Sequence, residues 1–214
     1  MRVKRSIRAA AVIVVVLALS MAGTAHAAVL LSDDFNAENG GAGALNYFGF
    51  TNWTVSNGSV DLCGNGFCDL LPGNGLYLDM DGSTGDAGKL TSIATFSLAP
   101  GLTYVLSFDL AGNQRGGSGD AVTVQVAMGS AFSEVFSLGT FDPFTTFTRS
   151  FTVSAPTIAT ISFEGSGGDN VGMFLDDVVF ATPAPPGLAL LGAALIAGAL
   201  ARGRRRRARS ASGA

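Results

Sequence analysis

Carboxylates are the chemistry this chain has to offer: all 16 of its acidic residues lie between Asp33 and Asp177, and its only histidine is His26. That histidine sits inside Ala25-His26-Ala27, a small-x-small cleavage site at the end of a segment with the form of a secretory signal peptide, residues 1–27. Arg2, Lys4, Arg5 and Arg8 make its charged region and Ala9 to Leu19 its apolar one. Removing it leaves no imidazole, which excludes Ser-His-Asp and Cys-His catalysis and every histidine-containing metal site. Paired carboxylates of the glycosidase kind remain open in principle. No spacing singles out an acid–nucleophile pair, so the expectation is a protein that is not an enzyme.

Two aspartate groups invite a metal reading. LYLDMDGSTGDAG (76–88) has the look of a calcium loop, but it lacks the sixth-position Gly and twelfth-position Glu of an EF-hand in any register. Asp79, Asp81 and Asp86 are therefore read as turn-formers in a solvated loop. FLDDVVF (174–180) differs, because adjacent residues of a strand point to opposite faces and one of Asp176 and Asp177 must then face the core side. A buried carboxylate needs a partner, either a bound cation or backbone N–H groups at a sheet edge. Cys63 and Cys68 flank a Gly-Asn-Gly turn in VDLCGNGFCDL; in an exported domain the pair reads as a disulfide, the alternative being two half-buried thiols.

Aromatic side chains supply the other candidate chemistry. Tyr47, Phe48 and Phe50 fall in a Gly-rich stretch just before Trp53, and an exposed ring among them could stack on a sugar. Trp53, between Asn52 and Thr54 on an expected strand, is assigned to the core.

The elements that must position these groups are strands. Apolar residues recur at every second position in TYVLSFDLA (103–111), DAVTVQVAM (120–128) and TRSFTV (148–153), and IATISF (158–163) is a further β-rich run. Nine or ten strands are expected among residues 28–31, 52–55, 58–62, 76–80, 89–98, 103–111, 121–128, 133–138, 146–154, 157–164 and 172–181. Turn clusters such as GNQRGGSGD (112–120) and EGSGGDN (164–170) separate them at the spacing of a two-sheet sandwich, so residues 28–182 should form one all-β jelly-roll domain. The alternating threonines of residues 144–162 suit the solvent face of a sheet.

Charge is segregated along the chain. Within 28–182 only Lys89, Arg115 and Arg149 oppose the 16 acids, a net of −13, so nucleic acid is excluded as a partner and divalent cations are favoured. The remaining cations sit in the signal and in the last residues. There Gly187 to Ala201 carries no charge and runs straight into Arg202, Arg204, Arg205, Arg206, Arg207 and Arg209. Fifteen helical residues span about 22 Å against a hydrocarbon core of roughly 30 Å, too short for a comfortable permanent anchor. The arginines hold their end on the cytoplasmic side.

Two resemblances follow. LLSDDFNAENG (30–40), NWTVSNGSVDL (52–62) and MFLDDVVFA (173–181) together resemble the galactose-binding-like jelly rolls of many carbohydrate-binding modules. Such folds often hold one structural calcium between the first loop and the last strand. Carried over by position, the ligands would come from Asp33, Asp34 and Glu38 and from Asp176 or Asp177. The resemblance implies a glycan or exopolysaccharide ligand; a structural matrix protein without a specific ligand is the alternative.

PAPPGLALLGAALIAGALARGRRRR (183–207) resembles the PEP-CTERM sorting signal of Gram-negative bacteria, with Pro183-Ala184-Pro185 in place of Pro-Glu-Pro, a hydrophobic helix at 187–201 and a cluster at Arg204–Arg207. Residues 208–214 would be a disordered tail. The resemblance implies export through the Sec translocon, cleavage by signal peptidase, transient residence in the inner membrane, and release to the surface or matrix by an exosortase-type protease. A permanent C-terminal anchor is the alternative.

Overall fold

The computed structural model describes residues 28–116 and 122–182. The signal peptide at 1–27, the sorting signal with Pro183, Pro185 and Arg204–Arg207, the helix at 187–201 and the tail at 208–214 lie outside the described residues. The described residues form an all-β jelly-roll sandwich with thirteen strands and one short 3-10 turn, Glu38–Gly41. In chain order the strands are β1 (Ala28–Asp33), β2 (Trp53–Ser56), β3 (Asp61–Gly64), β4 (Leu76–Asp79), β5 (Lys89–Ser92), β6 (Phe96–Leu98), β7 (Thr103–Ala111), β8 (Val122–Met128), β9 (Phe132–Leu138), β10 (Thr145–Thr152), β11 (Thr157–Ala159), β12 (Ile161–Gly165) and β13 (Phe174–Thr182).

One sheet runs β10-β7-β13-β4-β3, with β1 also on β13; the other runs β2-β5-β12-β8-β9. Every ladder in them is antiparallel. The core lies between the two. Its first wall is the alternating inner face of β7, Tyr104, Leu106, Phe108 and Leu110, with Leu175, Val178 and Phe180 of β13. Trp53, Leu90, Ile161 and Phe163 make the second. Phe108 joins the walls, its ring centroid 5.3 Å from Phe163 and 5.2 Å from Phe136, both edge-on, the arrangement that aromatic quadrupoles favour.

Two expected strands are broken. The runs 89–98 and 157–164 each divide, and β6 and β11 pair in a separate two-stranded ladder. Ser92 explains the break. It is buried, and its hydroxyl donates to the Ala94 carbonyl at 2.8 Å and accepts from the Ile161 N–H at 3.0 Å, taking the place of ladder bonds where both runs bend.

Cys63 and Cys68 are joined by a disulfide. The loop behind it folds over the outer face of the first sheet, so that β4 is buried on both faces. Tyr77 and Phe174 pack there with Leu71 and Phe144. The Tyr77 hydroxyl accepts the N–H groups of Leu70 and Leu71 and donates to Asp69.

Candidate functional site

The structure gives the carboxylates expected around one cation different partners, although Asp33 is the ladder partner of Val178 beside Asp177. Asp33 turns to structural work: Oδ2 accepts from Trp53 Nε1 at 2.8 Å and Asn52 Nδ2 at 3.0 Å, while Oδ1 accepts the Phe35 N–H. Glu38 is buried and accepts the Thr51 N–H at 2.9 Å. These two tie the first loop to β2. Asp34, Asp176 and Asp177 stay together at the outer face of the first sheet, where Asp109 joins them as the register partner of Asp176.

Strand alternation does not govern the aspartate pair. Asp177 has φ of 49°, and the register between β13 and β7 slips between Asp176 and Val179, so Asp177 occupies a bulge. At the bulge β13 also changes partner on its other edge, from β4 at Phe174–Leu175 to β1 at Val178–Thr182. Core-facing residues on either side are Leu175 and Val178. Asp176 therefore lies on the outer side and is nonetheless 95% buried, being 5% exposed. Its Oδ1 accepts the N–H of Asp177 at 2.8 Å. Burial, with the charges of Asp177, Asp109 and Asp34 added, pushes its carboxyl up to about 8, and burial raises that of Asp177 as well. Sequence reading missed Asp109, although the alternation of TYVLSFDLA already places it on the outer face.

The loop read as solvated departs from expectation in part: Asp86 is exposed, as expected, but the other two aspartates are not. Asp79 and Asp81 are both fully buried, and Asp61 nearly so. Asp61 and Asp79 are register partners on β3 and β4. Asp61 accepts from the N–H groups of Asn46 and Ser83 and from the Ser83 hydroxyl. Asp79 accepts from the N–H groups of Asp81 and Gly172 and pairs with Arg115, which also donates to the Asn170 carbonyl. Burial nevertheless moves the Asp79 carboxyl up to about 7, against the pull of Arg115. A Cβ on Gly172 would come within 2.2 Å of Asp79 Oδ1, and one on Gly167 within 2.2 Å of Asp81 Oδ2. The 165–172 loop thus closes over the carboxylates because glycine lets its backbone approach them. Composition hid this, since Asp-x-Asp-Gly reads as a turn in either setting.

The three aromatic candidates part company. Phe50 is 6% exposed and packs edge-on against Phe35 and Tyr47, so its ring faces are covered. Tyr47 is half-buried, 4.7 Å from Phe50, and its hydroxyl donates to the Gly49 carbonyl. Trp53 is in the core at 1% exposure. Phe48 is 58% exposed. Around it the loop is fastened by Ala44 N–H to Leu62, Tyr47 N–H to Val60 and Asn46 N–H to Asp61 Oδ1.

Among the described residues no three acidic, histidine or cysteine side chains converge as a ready-made metal cage. No protein-family model matches the chain, and no curated protein matches it. Among solved structures it is similar to the K3 cleaved adhesin domain of Lys-gingipain from Porphyromonas gingivalis, with 14% identity over 72% of this chain and 98% of that one and a TM-score of 0.45. It is similar to the CBM22-1 xylan-binding domain from Paenibacillus barcinonensis Xyn10C, with 11% identity over 75% and 97% and a TM-score of 0.41. Bacteriophage CBA120 tailspike protein 4 is another, at 17% identity over 64% of this chain and a TM-score of 0.43; there the chain spans 20% of the partner's length.

Proposed function

We propose that this chain is an exported, non-catalytic jelly-roll module that binds glycan or exopolysaccharide at the bacterial surface, delivered by its signal peptide and sorted through its PEP-CTERM-like tail. The observation that carries the glycan reading is Phe48: it is exposed on a loop whose neighbouring rings, Tyr47 and Phe50, pack edge-on against each other, with the Tyr47 hydroxyl donating to the Gly49 carbonyl. A ring carried on a backbone already fastened to Leu62, Val60 and Asp61 leaves less loop freedom to be lost when a sugar stacks on it. The partners in delivery would be the Sec translocon, signal peptidase and an exosortase-type protease.

Polysaccharide pull-down and a glycan array with the full chain test the reading. Phe48→Ala should weaken binding about two- to tenfold, the range expected for one aromatic contact. Phe141→Ala, which removes an even more exposed ring elsewhere, should leave it unchanged. Equal losses in the two variants, or no binding by the parent protein, would leave the structural matrix reading in its place.

A further inference from the structure

Asp81 has two unequally served oxygens. Oδ2 accepts the N–H groups of Gly168 at 2.8 Å and Asp169 at 3.2 Å. Oδ1 is equally enclosed and accepts no hydrogen bond from any described residue. An orphaned carboxylate oxygen in the interior carries the full cost of its lost hydration. Charge makes the position worse, because Asp61 and Asp81 are buried beside Asp79 at one end of the β3–β4 pair, and among the described residues the guanidinium that pairs there, that of Arg115, serves Asp79. Arg115 is engaged with Asp79 and the Asn170 carbonyl. A water molecule could donate to Oδ1 but would leave the excess negative charge in place; a cation answers both needs.

We propose that Asp81 supplies its Oδ1 to a bound hard divalent cation of the calcium class, beneath the 165–172 loop and separate from the carboxylates of Asp34, Asp109, Asp176 and Asp177. With no converging set of acidic side chains around it, the remaining ligands are main-chain carbonyls and water. Calcium accepts such a mixed and irregular coat, whereas magnesium demands near-octahedral geometry. The cation would clamp the loop at 81–88 to the loop at 165–172.

The test is a titration of the chelator-treated full chain in detergent with calcium and with magnesium, followed by thermal melting. A saturable rise in Tm with calcium and little with magnesium is expected. Asp81→Asn should abolish it, and the combined change Asp34→Asn, Asp109→Asn, Asp176→Asn should leave it. Because Asp81→Asn can also impair folding, the unaltered protein is followed in parallel by amide NMR during addition of manganese as a paramagnetic stand-in. The amides of Gly168 and Asp169 should broaden first. Broadening centred on Asp177, a Tm shift that survives Asp81→Asn, or the absence of any calcium response in the parent chain would each overturn the assignment.

Discussion

Asp176 concentrates the electrostatic cost of this domain in one side chain. Its carboxyl, up at about 8, and that of Asp79, up at about 7, both favour the neutral form in the folded state. Raised folded pKa values contribute stability that is complete below the ordinary carboxylate range and lost as pH climbs through those values. Glu134 and Glu164 act in the opposite sense, since hydrogen bonds from Arg149 and Lys89 hold them below their ordinary range, and their contribution fades in acid. In chelator, therefore, Tm should peak at about pH 4 to 5, near the ordinary carboxylate range, and fall until about pH 8. Asp176→Asn should flatten the alkaline side of that curve, whereas Glu134→Gln should not; a parent protein more stable at pH 8 than at pH 5.5 would refute the account. The clustering itself was only half legible in the sequence. Asp176 stood out as an acid within an apolar strand, but the positive φ of Asp177 that turns the pair outward follows from β13 exchanging β4 for β1, a long-range event that no local alternation encodes.

Strands were readable wherever one face is buried and the other wet, and less so elsewhere. The nine residues of β7 alternate along nearly their whole length, and the segment 103–111 is a strand in both readings. The segments 89–98 and 157–164 carry the same apolar rhythm, yet each contains a bend fixed by the hydroxyl of Ser92. That serine is indistinguishable in sequence from the solvent-facing serines and threonines around it. Ser92→Ala would leave the buried N–H of Ile161 without an acceptor, at a cost of about 1–3 kcal/mol. For a domain of this size that is a fall in Tm of about 2–4 °C per kcal/mol, measurable by calorimetry. An unchanged Tm would mean that water or a shifted ladder replaces the hydroxyl. The disulfide is the other device at this scale. It closes a short loop, its cysteines at a sequence separation of 5, and on chain entropy contributes about 2 kcal/mol. Cys63→Ala with Cys68→Ala should cost more than that estimate, because the same loop lays Leu71 over Tyr77 and Phe174. Urea denaturation compares the two figures, and a loss below about 1 kcal/mol would show that the cover stays in place without the bond.

For the whole molecule, the ordering of charge along the chain and the course of the last strand bear on the same event. The acidic stretch 28–182 is followed at once by an uncharged segment and then by arginines, a sequence of properties that suits passage outward, arrest in the membrane and retention of the basic end inside. The described fold ends where that tail begins: β13 runs to Thr182, and its final residues are ladder partners of Ala28 and Val29. Cleavage just beyond Thr182 would therefore remove no strand, no core residue and no ladder bond among those described. The expectation is that surface protein from the native host ends close to residues 182–185 and lacks the arginines, while the unprocessed form fractionates with the inner membrane. Ending the chain at Thr182 should give a product with the melting temperature of the processed protein that no longer passes through the membrane fraction. Replacing Arg204 to Arg207 by neutral residues should lower the fraction correctly oriented, because each cation near the anionic cytoplasmic face contributes about 1 kcal/mol to holding that end inside. Mass spectrometry of the two fractions decides the matter. Surface protein carrying an intact basic C-terminus, extractable only with detergent, would establish a permanent anchor instead.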